Sequence, residues 1–301
     1  MSTPSEPEGA RRRLINLAYR MLGSLAEAED AVQEAYARWY ALSSQQRDAI
    51  ESPAAWLTTV ASRVCLDVLG SARVRRERYV GEWLPEPLPE PAEWPGGQPD
   101  SAPADPADRV TLDESVSMAF LVMLESMTPA ERVAFVLHDV FRYSFAEVAE
   151  ITGRTPAACR QLASAGRRRV QAARPLAGPD PAGRRAGVIR DFKRAWEAGD
   201  ISGLLGLLDP GATFTADGGG LVPAALSPVE GAGPVAAYLA GLASQAPGVT
   251  FLERTVNGQP GLVAQQGGTT VTVLAFDVKG HRITRIWAVR NPGKLRPWAA
   301  L

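Results

Sequence analysis

The sequence predicts a multidomain protein: two all-α helical domains joined by an acidic, proline-rich linker, then a C-terminal α+β domain with a curved sheet. Three observations carry this. Apolar residues recur with helical spacing through the first 80 residues and again over 112–173. Between them, residues 81–113 hold eight prolines, at 85, 87, 89, 91, 95, 99, 103 and 106, which preclude a helix or a central strand. From about Ala182 onward, amphipathic helices give way to alternating runs that read as strands.

The elements follow in order. Leu14, Leu17, Ala18, Met21 and Leu22 lie on one face of a first helix. Ser24 and Glu27 form a capping box opening a second, whose apolar face is Ala28, Ala31, Val32, Ala35, Tyr36 and Trp39. Its other face is Glu27, Glu29, Asp30, Gln33 and Glu34. Ser52-Pro53 starts a third helix with serine at the cap and proline at the first helical position. Leu57, Val60, Ala61, Val64 and Val68 form its buried stripe, and its end runs into Arg73, Arg75, Arg76 and Arg78. After the linker, which opens with the apolar pair Trp83-Leu84, a stripe of Val116, Ala119, Phe120, Met123, Leu124 and Met127 marks the next helix. Capping boxes at Thr128–Glu131 and Ser144–Glu147 start two more. Thr152-Gly153-Arg154 makes a tight break, and Thr155-Pro156 begins a helix ending near Ala173. Its inner stripe is Cys159, Leu162, Ala163, Gly166 and Val170, and its outer face is Arg160, Gln161, Ser164, Arg167 and Arg168. Beyond Ala182, the pattern predicts a helix through Val188–Trp196, a short one around Leu204–Leu208, another over Pro234–Ser244, and antiparallel strands at VTFLERTV, GTTVTVLAFDV and HRITRIWAVR.

Net charge is −1, which by itself points to neither an acidic nor a basic partner. The distribution is more informative. Residues 1–80 carry +1, residues 81–113 carry −7, residues 114–179 carry +2 and residues 180–301 carry +3. Arg160, Arg167, Arg168, Arg169 and Arg174 occur in a stretch with no acid, a footprint suited to phosphate. At 46% hydrophobic and 22% charged, the chain can bury a core without disulfides or a structural metal. Cys65 and Cys159 sit in separate helical patterns, which suits a reducing cytoplasm. No apolar run approaches the roughly 18 residues of a membrane span, and MSTPSEPEGARRR lacks a signal peptide's apolar stretch. No metal-ligand cluster or nucleotide-binding loop is present, so neither metal nor cofactor is expected.

Two capped helices across a glycine turn, the second basic on its outer face, form a helix-turn-helix. The turn sets the second helix across the first, so that its N-terminal half enters the major groove. Arginine can pair with guanine and glutamine with adenine, while serine and trailing arginines hold phosphate. A helix hairpin with a solvated basic face is the alternative. The helix beginning at Trp56 combines an aromatic with basic groups, as melted nucleic acid requires; simple core packing is the alternative for Trp56. The acidic face of the second helix suits a basic protein partner, or is merely solvated.

The order AEAEDAVQEAYARW, AWLTTVASRVCLD, SARVRRERY, TPAERVAFVLHDVF and YSFAEVAEITGRTPAACRQLASAGRRRV resembles a bacterial sigma factor of the extracytoplasmic-function (ECF) group. The strings WLPEP (Trp83–Pro87), DGGG (Asp217–Gly220) and NPGKL (Asn291–Leu295) resemble the subgroup with a fused, cone-shaped SnoaL-like domain. The resemblance implies sigma region 2 at 9–80, the acidic linker at 81–113, a region 4 helix-turn-helix at 114–178 and the SnoaL-like regulatory domain at 182–301. It implies that Glu29, Asp30 and Gln33 bind core RNA polymerase. Trp56, Arg63, Arg73, Arg75 and Arg76 would open and read the melted −10 element of promoter DNA. Thr155, Arg160, Gln161, Ser164, Arg167 and Arg168 would read the −35 duplex. Trp83, Leu84, Pro85, Asp217, Gly218, Gly219, Gly220, Asn291, Pro292 and Lys294 would carry regulation through intramolecular contact, in place of a separate anti-sigma factor. Val68 and Gly70 stand where basic residues are expected, Leu221 follows DGGG in place of a basic residue, and Gly293 replaces an aspartate.

Relatives of the SnoaL-like cone do acid–base chemistry, for which Asp217, Tyr238 and His281 are the candidates. Asp217 at a turn and His281 in a hairpin are the plainer readings, so no catalytic site is expected. A plain helix-turn-helix repressor and a small-molecule enzyme remain the competing functions.

Overall fold

A computed structural model describes residues 6–76, 79–89, 116–173, 182–245 and 248–299. By contact the chain divides into two compact units, one of Met1–Glu77 with Met123–Arg174 and one of Arg78–Val122 with Pro175–Leu301.

The first unit is helical. Helices α1 (Glu6–Leu22), α2 (Leu25–Ala41) and α4 (Pro53–Arg76) pack around Leu17, Ala18, Met21, Leu22, Ala28, Val32, Ala35 and Ala61. Ser24 caps α2 by accepting from the Glu27 N–H. A short helix, α3 (Ser44–Asp48), was not anticipated: SQQRD has no apolar residue, and only the Ser43–Gln46 capping box marks it. Cys65 is fully buried in α4, and burial pushes its thiol up to about 12. The chain returns through the end of α5 (Met118–Glu125), then α6 (Pro129–Phe135), which starts on the expected Thr128–Glu131 box. A π-helical turn at Val136–Val140 continues α6. The helix-turn-helix is α7 (Phe145–Thr152) and α8 (Pro156–Ala173), separated by Gly153 at φ 65°, a left-handed cap that glycine adopts without strain. Gly166 lets α8 close on α6, since a Cβ there would lie 2.9 Å from the Phe135 Cβ. Arg132 is buried, with its guanidinium bonded to the Met21 carbonyl at 2.9 Å and Glu125 at 2.7 Å. Burial lowers its pKa to about 9, which leaves it charged at neutral pH.

The second unit is built on a six-stranded open sheet in the order β2-β1-β6-β5-β4-β3. Helices α9 (Ala182–Glu197) and α10 (Ile201–Leu207) lead into β1 (Leu208–Asp217) and β2 (Val229–Glu230). Then come α11 (Ala232–Gln245), β3 (Val249–Val256), β4 (Gln259–Gln266), β5 (Thr269–Lys279) and β6 (Arg282–Val289). Three strands match the sequence reading, but the sheet is mixed, not antiparallel throughout, because β1 runs parallel to β6. A parallel neighbour needs a long crossover, here everything from β2 to β5. Strand β1 was missed because Asp209-Pro210-Gly211 reads as a turn; its register shifts between Leu208 and Thr213. Strand β4 was missed because Gly261–Ala264 is buried on both faces and so shows no alternation.

Both faces of this sheet are covered, and consecutive residues go to different cores. Phe214, Ala216, Leu262, Leu274, Phe276, Ile286 and Ala288 pack with α9–α11. Val263, Val273, Ala275, Trp287 and Val289 pack with Leu295 and Trp298 and, from the linker side, with Leu84 and Met118. The described part of the predicted linker is therefore an ordered strap: Leu84, Pro85, Glu86, Pro87 and Pro89 are all buried. The acidic remainder, including most of its prolines, lies outside the described residues.

Candidate functional site

In the first unit, Glu29, Asp30 and Gln33 all project exposed from α2, forming one acidic, polar face. Trp56 is half-buried, its ring tilted against Trp39 with centroids 5.3 Å apart, so the packing alternative accounts for part of its surface. Arg63, two turns further along α4 on the same side, is engaged: its guanidinium donates to the carbonyls of Glu150 at 2.8 Å and Ile151 at 3.2 Å, at the C-terminal end of α7. A cation there complements the helix dipole. Tyr143 adds a hydrogen bond to Thr58 at 3.3 Å. Arg73, Arg75 and Arg76 belong to the last turn of α4, and their side chains lie outside the described residues.

On α8, Thr155 caps the helix by accepting from the Ala158 N–H at 3.2 Å. Arg160, Gln161 and Arg168 are exposed, and Arg160 stacks its guanidinium over the Phe145 ring at 5.2 Å. Arg167 is held inward by Asp139 at 2.8 Å and by Ser164 at 3.0 Å. The exposed face of α8 thus includes Arg160, Gln161 and Arg168, with Ser164 and Arg167 braced behind it.

In the second unit, the strings DGGG, NPGKL and WLPEP meet at one buried carboxylate. Asp217 has no exposure. One of its oxygens accepts from the Tyr79 hydroxyl at 2.6 Å and from the Gly219 N–H at 3.0 Å. The other accepts from the Leu84 N–H at 3.0 Å and the Lys294 ammonium at 2.7 Å. Lys294 also donates to the Leu84 carbonyl and lies 4.1 Å from the Trp83 ring centre, a cation–π contact. Asn291 donates to the Tyr79 oxygen at 2.9 Å, and its own carbonyl accepts from the Gly293 N–H at 3.0 Å. The Asp217 backbone carbonyl accepts from the Arg290 and Asn291 N–H groups. Gly219 sits at φ 64°, and a side chain there would strike Asn291; the glycine run is what lets the two loops touch. Burial first, then the bond to Asp217 and its charge, push the Tyr79 phenol upward, against the Asn291 bond.

Further along the strap, Trp298 donates to the Pro87 carbonyl at 2.8 Å, and Leu88 exchanges two hydrogen bonds with Asn257. Tyr79, Asn257 and Trp298 were not singled out from sequence. Tyr79 was read with the arginines before it, and Trp298 and Asn257 have no signal beyond being a lone aromatic and a turn residue. Pro292 and Gly293 are exposed, Gly218 and Gly220 flank the turn, and Leu221 is 73% exposed. Asp217 faces the strap, while Tyr238 lines a cavity on the other side of the sheet and His281 is exposed in the β5–β6 hairpin. The three candidate acid–base groups are therefore not assembled. Among the described residues no cluster could hold a metal ion, and no helix is long and apolar enough to cross a membrane.

A helical unit with a helix-turn-helix and an exposed acidic helix face, in a chain that continues into a mixed-sheet domain gripping its own linker, fits a transcription initiation factor of the sigma type. Residues 8–78 match Sigma-70 region 2 and residues 117–170 match Sigma-70, region 4. The ECF RNA polymerase sigma factor SigJ of Mycobacterium tuberculosis is 44% identical over 219 residues, 73% of this chain and 66% of that protein. The probable ECF RNA polymerase sigma factor SigI of the same organism is 38% identical over 290 residues, 96% of this chain and 93% of that protein. The crystal structure of SigJ matches with a TM-score of 0.74 at 35% identity, covering 98% of this chain and 99% of that one. The chain belongs to the ECF RNA polymerase sigma factor family. It works with core RNA polymerase on promoter DNA to initiate transcription, and its C-terminal mixed-sheet domain is shared with SigJ.

Proposed function

We propose that the C-terminal domain, SnoaL-like in its motifs, regulates this sigma factor from within the chain by holding the Tyr79–Pro89 strap. The observation that carries this is the buried Asp217 carboxylate, whose partners Tyr79 and Leu84 both come from the segment joining the two sigma regions. Holding or releasing that segment changes how far the regions can separate on polymerase and promoter. In-chain placement gives the regulator a high effective concentration without a separate anti-sigma protein. Run-off transcription by the cytoplasmic holoenzyme tests this, comparing the full chain, its Tyr79→Phe variant and a chain ending at Ala173. Tyr79→Phe removes two hydrogen bonds and keeps the ring. A change in promoter strength, salt dependence or polymerase affinity is expected; equality across all three would sink the proposal.

Within the same reading, Glu29, Asp30 and Gln33 dock on polymerase. Trp56 and the α4 arginines engage the melted −10 element, Arg63 doing so after leaving the α7 carbonyls. Arg160, Gln161 and Arg168 read or hold the −35 duplex. Arg160→Ala is expected to cost about 1–3 kcal/mol and to relax preference at one −35 position. Uniform weakening on all promoter variants would reassign Arg160 to phosphate.

A further inference from the structure

The face of the sheet turned away from the strap carries a half-open cavity of about 820 Å³. Binding pockets for small organic molecules occupy a few hundred to a thousand cubic ångströms. The space is therefore of ligand size. Its walls are mostly apolar, with Trp196, Phe214, Tyr238, Phe251, Leu274 and Ala288 contributing. Trp196 is fixed by its indole bond to the Leu239 carbonyl and packs at a tilt against Phe251 with centroids 4.4 Å apart. Such walls suit a rigid or extended apolar body.

The polar groups gather along one side, where Gln266, Thr269, Thr270 and Thr272 of the β4–β5 hairpin also line the space. Tyr238 lines the space beside Phe214, with ring centroids 5.2 Å apart. Arg290 and Arg296 also line it, and neither is paired with a carboxylate among the described residues. The Arg290 guanidinium donates to the Pro223 carbonyl, a neutral acceptor that leaves its charge uncompensated. One acid, Glu197, reaches the lining from the end of α9 and is exposed. Two cations against one solvated anion give the cavity a positive bias. Asp217, the group best placed in sequence to act as a base, is committed to the other face, so the arrangement points to binding without turnover.

We propose that this cavity binds an amphipathic organic carboxylate, its apolar body among the aromatic walls and its anionic end at Arg290 and Arg296. The inference goes beyond the regulatory reading and does not rest on it, because binding is read directly. The full chain is titrated with the fluorescent polyene cis-parinaric acid, and the probe is displaced with dodecanoic acid, methyl dodecanoate and dodecylammonium. Saturable displacement is expected, with the acid at least about tenfold tighter than the ester, the value of one charge-assisted contact. The R290Q/R296Q double variant, altered only at partly or fully exposed side chains, is expected to erase that preference while the ester binds as before. Absence of saturable probe binding overturns the proposal. So does equal displacement by acid, ester and amine, or an acid preference that survives in the double variant.

Discussion

A carboxylate with no exposure to water, as at Asp217, persists only when its lone pairs are filled and its charge is matched. Here two N–H groups, one phenol and one ammonium do both. Lys294→Met removes the matching charge and leaves the rest, so it is expected to destabilise the second unit by about 3–5 kcal/mol. Adding Asp217→Asn should recover part of that loss, as urea unfolding would report. The Tyr79 phenol gives a pH signature. Its folded pKa is raised, so its contribution is complete below the ordinary tyrosine value of about 10 and is lost as pH rises beyond it. Alkaline titration of the strap, followed by Trp83 and Trp298 fluorescence, should show a release that Tyr79→Phe abolishes. The sequence made Asp217 and Lys294 visible through their strings, but not Tyr79. A tyrosine at the end of an arginine-rich helix carries no mark of the carboxylate it will meet 138 residues later.

At the scale of the element, most helix ends stated by a side chain were legible, the Ser43–Gln46 box of α3 being an exception. Ser24, Thr128, Ser144 and Thr155 each accept the expected backbone N–H, and Gly153 terminates α7 as foreseen. What escaped were elements whose logic is not periodic, namely α3, the π turn after α6, β1 and β4. Two helical glycines show how packing reverses a local rule. Alanine normally improves on glycine in a helix by about 0.5–1 kcal/mol. Gly70 faces open space, so Gly70→Ala should stabilise by about that amount. At Gly166 the added methyl meets Phe135, whose Cβ cannot swing away, so Gly166→Ala should destabilise by about 1–3 kcal/mol. Thermal unfolding of the two variants should move in opposite directions.

For the whole molecule, the important fact is that the sheet's second face is completed by chain from outside the C-terminal domain, Leu84 from between the two sigma regions and Met118 from the start of region 4. Leu84 and Met118 fill a core that also contains Trp287, Val289 and Trp298. Residues 182–301 alone should therefore expose that face and bind the dye ANS strongly, and a peptide of residues 79–89 added in trans should reduce the signal. Undiminished dye binding would show that the strap is not a cover. The sequence by itself determined the order of domains, the helix-turn-helix and the exposed faces of α2 and α8, because periodicity, caps and charge are local properties. Only the tertiary structure decided that the proline-rich linker begins as a buried strap, that β1 joins β6 in parallel, that Arg63 is occupied by α7, and that Asp217 faces the strap and not the cavity. Each depends on which distant surfaces meet, and a buried polar group is satisfied by whatever partner the fold brings, however far away in sequence.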